Sequence, residues 1–275
     1  MSLVIAYPGT VGSFSYGAAK SVFQNAELLG FESFEETAQA LTEWKVDYAL
    51  LPVENSSAGA VVKTYALLEK LPVNIVGEVM KTVRHQLLGV QGARLEDIRI
   101  ISSHPQAIAQ CDVFLEHLKN VQIIPSLNTA FSAKEVAEKN DVHFAAIASV
   151  EAQKEYGLSV LARDIQSSDN NTTRFFVLSM DSQPLGTPDK ATVVFRLLNE
   201  VGALVKVLSS FSESGLNMSH IESRPIPESP FQYLFIADFV GHLERMHLRT
   251  AMEKAKPFTT ELRLLGTYSG AAQPG

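Results

Sequence analysis

The sequence predicts an α/β chain in two unequal parts, and three observations predict it. Strands alternate with helices through roughly the first two-thirds of the 275 residues, the pattern of a parallel sheet flanked by helices. Ser182, Pro184, Gly186 and Pro188 then mark a linker over 182–189. Beyond it, over 190–268, the order becomes strand, helix, strand, strand, helix, strand, which is the ferredoxin-like βαββαβ unit. Hydrophobic residues make up 46% and charged residues 19%, enough apolar side chain to form real cores.

The first strand runs through Val4-Ile5-Ala6-Tyr7, and Pro8–Ser13 turns the chain. A helix follows with Phe14, Ala18, Val22 and Ala26 at helical spacing, and Ser13 or Ser15 suits its cap. The two glycines of the turn match neither a Walker loop nor a dinucleotide fingerprint, although a helix N-terminus there can hold an anion. Tyr48–Leu51 is a strand, Pro52–Gly59 a turn, and Val61, Tyr65 and Leu68 line a helix that stops at Pro72. That turn carries Glu54, Asn55, Ser56 and Ser57, more polar residues than one helix cap needs, so a polar ligand is a second reading. Val73–Val79 and His85–Val90 read as strands. His85 has a reference pKa near neutrality, which fits an acid, while its place at the head of an apolar strand fits a structural role.

The alternation continues with a strand at Arg99–Ser102 and the turn Ser103-His104-Pro105-Gln106. Pro105 suits a first helical turn and Ser103 its cap. Ile108, Cys111, Leu115 and Leu118 form the buried stripe of one helix, so Cys111 reads as a core thiol. Gln122–Pro125 and His143–Ile147 are strands, each leading to a helix, at Asn128-Thr129 and Ala148-Ser149. Leu158–Leu161 extends again. Five polar turns thus lie beyond strand carboxyl ends, where open α/β sheets bind ligands. Asn170-Asn171-Thr172-Thr173-Arg174 then leads into the apolar strand Phe175–Leu178; the hydroxyl of Thr173 and the donor fork of Arg174 make this a candidate site. A plain turn with Arg174 on the surface is the alternative.

The net charge is −7 and no Lys/Arg run stands out, so neither nucleic acid nor an anionic membrane is an expected partner. A single cysteine excludes a disulfide framework or cysteine-rich metal site and fits a reducing compartment. The N-terminus lacks a basic n-region and a signal h-region, so the expected location is cytoplasmic. The C-terminal sheet has edges to cover, which predicts pairing with another copy, and the tail 269–275 is expected to be flexible.

Several motifs carry a family resemblance over nearly the whole chain. Pro52-Val53-Glu54-Asn55-Ser56-Ser57-Ala58-Gly59, Ser103-His104-Pro105-Gln106-Ala107-Ile108-Ala109-Gln110-Cys111 and Asn171-Thr172-Thr173-Arg174-Phe175 resemble the signatures of prephenate dehydratases. Gly202-Ala203-Leu204 and Glu222-Ser223-Arg224-Pro225 resemble the phenylalanine-binding motifs of an ACT regulatory domain. Ser13 stands where the family usually has Thr, which keeps the hydroxyl, and Ser167 where it usually has an acidic residue.

The resemblance implies a periplasmic-binding-protein-like catalytic domain over 1–181. Its first lobe is expected at about 1–76 plus 158–181 and its second at about 77–157, with an ACT domain over 190–268. It implies decarboxylative dehydration of prephenate without cofactor or metal. Thr173 would be the donor to the departing hydroxyl and Arg174 a carboxylate binder, both counted as catalytic. Ser13, Asn55, Ser56, Ser57, His85, Thr129 and Phe175 would bind substrate, with His85 as backup acid. Gly202, Ala203, Leu204, Glu222, Ser223, Arg224 and Pro225 would bind L-phenylalanine between subunits of a homodimer or homotetramer. Arogenate dehydratase and a non-catalytic amino-acid sensor are the alternatives.

Overall fold

The computed structural model describes residues 2–226, 229–241 and 245–271. The first stretch of chain gives β1 (Val4–Pro8), α1 (Phe14–Val22), β2 (Glu27–Phe31), α2 (Phe34–Thr42), β3 (Tyr48–Asn55), β4 (Gly59–Ala60), α3 (Val62–Lys70) and β5 (Asn74–Thr82). The next gives β6 (Gln86–Gly89), β7 (Ile100–Ser103), α4 (Pro105–Ala109), α5 (Asp112–Glu116), β8 (Gln122–Pro125), α6 (Thr129–Lys139), β9 (Phe144–Ala148), α7 (Val150–Tyr156) and β10 (Ser159–Ala162). The chain then returns as β11 (Thr172–Ser179). It ends with β12 (Lys190–Leu197), α8 (Ala203–Ser212), β13 (Asn217–Ile226), β14 (Ser229–Val240), α9 (Arg245–Ala255) and β15 (Thr259–Tyr268).

Three sheets result, with orders β2-β1-β3-β11-β5, β10-β6-β9-β7-β8 and β13-β14-β12-β15. The first two form two lobes. β5 stays in the first sheet to Thr82, and β10 belongs to the second, paired with β6. The crossings therefore lie at 83–85 and 163–171, which moves the expected lobe boundaries at 76 and 158. Neither sheet is purely parallel: β11 runs antiparallel to both β3 and β5, and β6 antiparallel to β9. A returning strand inserted between β3 and β5 is buried on both faces, which is why Phe175-Phe176-Val177-Leu178 reads as a continuous apolar run.

β2 and α2 lie outside the sequence expectation. β2 is a half-exposed edge strand. α2 is started by Ser33, whose hydroxyl accepts from the Glu36 amide, while the Glu36 carboxylate accepts from the Glu32 amide. The single helix expected after Ser103 is two, the first of them capped by His104 rather than Ser103. The Ser167 amide donates to the Gln110 carbonyl at 2.7 Å, so the first helix ends there. Cys111 sits at the break, fully buried, and burial first, then Asp112, pushes its thiol up to about 12, as befits a core group.

The βαββαβ order holds in the C-terminal sheet. Its helices cover one face, where Phe195, Phe211, Phe239 and Ala251 pack together. The other face carries Val194, Ile236, Leu265 and Tyr268, and these share a core with Leu51, Tyr65, Leu68 and Phe176 of the first lobe. The edge strand β15 approaches β5 so closely that a Cβ added to Gly266 would run into the Ile75 carbonyl. The linker is packed too: the Leu185 amide donates to the Val76 carbonyl at 2.7 Å. At the tail, the Gly270 amide donates to Asp189 at 2.6 Å; residues 272–275 of the expected flexible segment lie outside the described residues. Among the described residues, no helix is long and apolar enough to cross a membrane.

Candidate active site

The cleft between the lobes holds a cavity of about 240 Å³. The first lobe contributes Phe14 and Ser15 from the start of α1, Pro52 and Asn55 from β3, and Asn171, Thr173 and Phe175 from the returning chain. Val83 and His85 line it at the crossing, and His104, Gln106, Gln110, Asn128 and Thr129 from the second lobe. Three of the five polar turns thus meet in one place, with the first turn of α1 beside them.

Asn55 organises the floor. Its Oδ1 accepts from the Ser57 and Ala58 amides at 3.0 and 2.9 Å, which fixes the orientation of its side-chain amide. Nδ2 then donates to Asn171 Oδ1 at 2.8 Å and to Thr173 Oγ1 at 2.9 Å. Thr173 therefore accepts from Asn55 and keeps its own proton for a group in the cavity. The first turns of α1 and α6 face the cleft from opposite lobes, and their caps, Ser13 and Asn128, accept from the Tyr16 and Phe131 amides. No Lys, Arg, Asp or Glu stands among the lining residues, so helix N-termini and amide, hydroxyl and imidazole groups are what this cleft offers an anion.

His85 is 2% exposed. Its Nε2 lies 2.8 Å from Gln110 Oε1, the edge-on ring of Phe14 is 5.5 Å away, and Nδ1 is buried without a partner. Burial pulls its pKa below the ordinary value of 6.5 and the Gln110 bond works against that, with burial the larger effect. A group so shifted is neutral above about pH 6.5 and has no proton to lose there. Turnover is therefore expected to stay level between about pH 6.5 and 8.5; a sigmoid step inside that window that is lost in His85→Gln would assign the transferred proton to His85.

Four expected site residues lie elsewhere. Ser13 spends its hydroxyl on the α1 cap, and Ser15 lines the cavity in its stead. Ser56 is exposed; it donates to the Asn170 carbonyl at 2.6 Å and accepts from the Thr172 amide at 2.9 Å, stitching β3 to the returning chain. Ser57 is exposed and contributes its amide to Asn55. Arg174 faces away from the cleft because it follows Thr173 on a strand, where successive side chains alternate. It is 4% exposed and lies 2.6 Å from both Glu78 and Asp238. It also donates to the Tyr268 hydroxyl at 3.1 Å, and its guanidinium sits 4.7 Å over the Phe176 ring. Burial opposes its charge, but Asp238, Tyr268 and Glu78 together raise its pKa. The polar lining positions absent from the expected site are Ser15, His104, Gln106, Gln110, Asn128 and Asn171. Asn171 and Gln110 stand inside the quoted motifs, and Asn128 is a helix cap, so each had a signal.

The lobes are bridged at the cleft rim. Ser149 Oγ donates to the Gly12 carbonyl at 2.7 Å, Lys81 meets Glu151 at 2.6 Å, and Glu155 accepts from Tyr16 at 2.6 Å and pairs with Lys20 at 3.1 Å.

In the C-terminal domain, Gly202, Ala203 and Leu204 line a cavity of about 710 Å³ with Asn199, Glu200, Tyr233 and Thr260. Gly202 starts α8 at φ 79°, a conformation that suits glycine. Glu222, Ser223, Arg224 and Pro225 lie on the edge strand β13 and do not line that cavity; Arg224 donates to the Val62 carbonyl at 2.7 Å. One chain alone does not bring the two motifs together.

Fold and site together define a two-lobed α/β enzyme for a small anion, with a βαββαβ module packed on its first lobe. The family model for prephenate dehydratase matches residues 5–183. The chain is 38% identical over 275 residues to arogenate dehydratase/prephenate dehydratase 2, chloroplastic, of Arabidopsis thaliana, covering 96% of this chain and 72% of that one. It superposes on the prephenate dehydratase of Arthrobacter aurescens in complex with L-Phe at a TM-score of 0.87 and 31% identity, covering 97% and 90% of the two chains. It also superposes on GqqA, described as a novel type of quorum quenching acylase, at 0.88 and 32% identity, covering 98% of each. The chain belongs to the prephenate dehydratase family, carbon–oxygen lyases that turn prephenate into phenylpyruvate, water and CO₂.

Proposed function

We propose that Thr173 is the hydrogen-bond donor to the departing ring hydroxyl, aimed by Asn55. In the reaction the bond to the ring carboxylate breaks and its electron pair enters the ring. The carbon–oxygen bond breaks at the same time, and hydroxide leaves as water once it has taken a proton. Aromatisation supplies the driving force, so what the protein must add is pose and charge stabilisation at the leaving oxygen. The Asn55–Thr173 hydrogen bond at 2.9 Å is the observation that carries this reading, because it leaves the threonine proton to the substrate. The dianion lies against the first turns of α1 and α6. With Arg174 turned away, neither carboxylate is paired to a guanidinium, which avoids stabilising the ground state as much as the transition state.

Prephenate is the preferred substrate in this reading. Arogenate carries an ammonium in place of the keto oxygen, and the lining side chains offer it no carboxylate, so it would be desolvated unpaired. Incubating the protein with each substrate and following phenylpyruvate and phenylalanine tests both points. Prephenate is expected to give the higher kcat/KM; no turnover of either would refute the reading. Acyl transfer is disfavoured, because Thr173 is held by an amide and His85 by Gln110, so neither forms a nucleophile–base pair.

L-Phenylalanine is proposed as the effector, bound where the Gly202–Leu204 turn of one subunit meets Glu222–Pro225 of another. The separation of these motifs within one chain supports a homodimer or larger assembly.

A further inference from the structure

Thr173 and Arg174 occupy opposite faces of β11, and the neighbouring strand repeats the arrangement. Thr173 pairs with Asn55, and Arg174 with Glu54. One face of this strand pair carries the hydrogen bond that aims the donor. The reverse face sends two polar arms into the C-terminal sheet. In the first, Arg174 meets Asp238 of β14 at 2.6 Å and the Tyr268 hydroxyl of β15 at 3.1 Å. Thr192 of β12 donates to Asp238 at 2.7 Å and lies 2.8 Å from Tyr268, so three strands of the sheet share this arm. In the second, Glu54 Oε2 lies 3.7 Å from His220 of β13, whose ring stacks on Tyr65 of the first lobe. Glu54 is also 3.7 Å from Arg174, which joins the arms.

We infer that Arg174 and Glu54 are positioning residues, through which the C-terminal domain sets the geometry of the Asn55–Thr173 pair. This deepens the regulatory reading above and rests on it. The interface has no slack to absorb a displacement. Gly266 lies against the Ile75 carbonyl, and the apolar face of the sheet shares a packed core with the first lobe. A shift of β14 or β13 must therefore be passed to Arg174 and Glu54, and each is adjacent in sequence to a member of the pair that faces substrate. Coupling of this kind needs two arrangements of a packed element and an effector that prefers one of them.

The test uses the full chain. Prephenate turnover is measured with and without L-phenylalanine, and L-phenylalanine binding by calorimetry, for the unmodified protein and for Asp238→Asn, Glu54→Gln and Arg263→Gln. Arg263 also spans the two domains, donating to the Leu68 and Glu69 carbonyls, but touches neither arm. Asp238→Asn and Glu54→Gln are expected to bind phenylalanine within about threefold of the unmodified protein while its effect on kcat/KM shrinks at least about fivefold, the lower end of allosteric coupling. Arg263→Gln is expected to respond in full. An equal response in Asp238→Asn and Glu54→Gln, or an equal loss in Arg263→Gln, overturns the route. If Asp238→Asn does not fold, Glu54→Gln decides alone, since that side chain is partly exposed. An unmodified protein indifferent to phenylalanine overturns the regulatory reading itself, which a responsive protein with unchanged variants does not.

Discussion

Thr173→Val is expected to lower kcat about 10²–10³-fold with a much smaller change in KM, the usual effect of removing one preorganised donor. Valine keeps the branched shape and the strand preference of threonine, so β11 is retained. The Asn55 amide loses one acceptor but stays fixed by the Ser57 and Ala58 amides and by Asn171. The loss then falls on the step that needs the hydroxyl. Steady-state kinetics on prephenate checks it, and a variant within a few-fold of the unmodified enzyme would remove Thr173 from the role.

Arg174→Met is expected to act first on stability. The substitution removes the cation that lies between Glu78 and Asp238, whose side chains are each 1% exposed. Lys190 still reaches Glu78 at 2.8 Å, but Asp238 keeps only neutral partners, Thr192 among them. Removing one partner of a buried ion pair costs about 3–5 kcal/mol because the other charge stays buried without compensation. Urea denaturation of the purified variant measures it. A carboxylate-binding role in the cleft would instead leave stability unchanged and raise KM. Arg174→Lys is also expected to be destabilised, since one ammonium cannot replace a planar fork held by Glu78, Asp238 and Tyr268.

The place of the cleft is legible in the sequence, because polar turns after apolar strands mark it without knowledge of what pairs with what. Asn55 and Thr129 line the cavity for that reason, and His85, Thr173 and Phe175 join them where the chain crosses between the lobes and returns. The direction of Arg174 was equally open to a reading by alternation. Once the strand starts at Thr172 rather than Phe175, Thr173 and Arg174 cannot share a face. The partners of Arg174 were not legible: Glu78 and Asp238 lie 96 and 64 residues away, and no local pattern joins them to it. The α2 helix had its start signal in Ser33 and Glu36, whereas the edge strand β2, Glu-Leu-Leu-Gly-Phe, shows no alternation that would reveal it. The lobe boundaries were hidden because the first crossing falls within a nearly unbroken run of extended residues from Asn74 to Gly89.

The C-terminal sheet turns Val194, Ile236, Leu265 and Tyr268 toward the first lobe, while its own helices α8 and α9 pack on the opposite face. Such a module is not an interchangeable cassette. Grafted onto another catalyst it would present a greasy, unmatched flank, and a foreign module placed here would leave Tyr65 and Phe176 bare. Module and catalyst in this chain are bound to change together, residue against residue, across one seam.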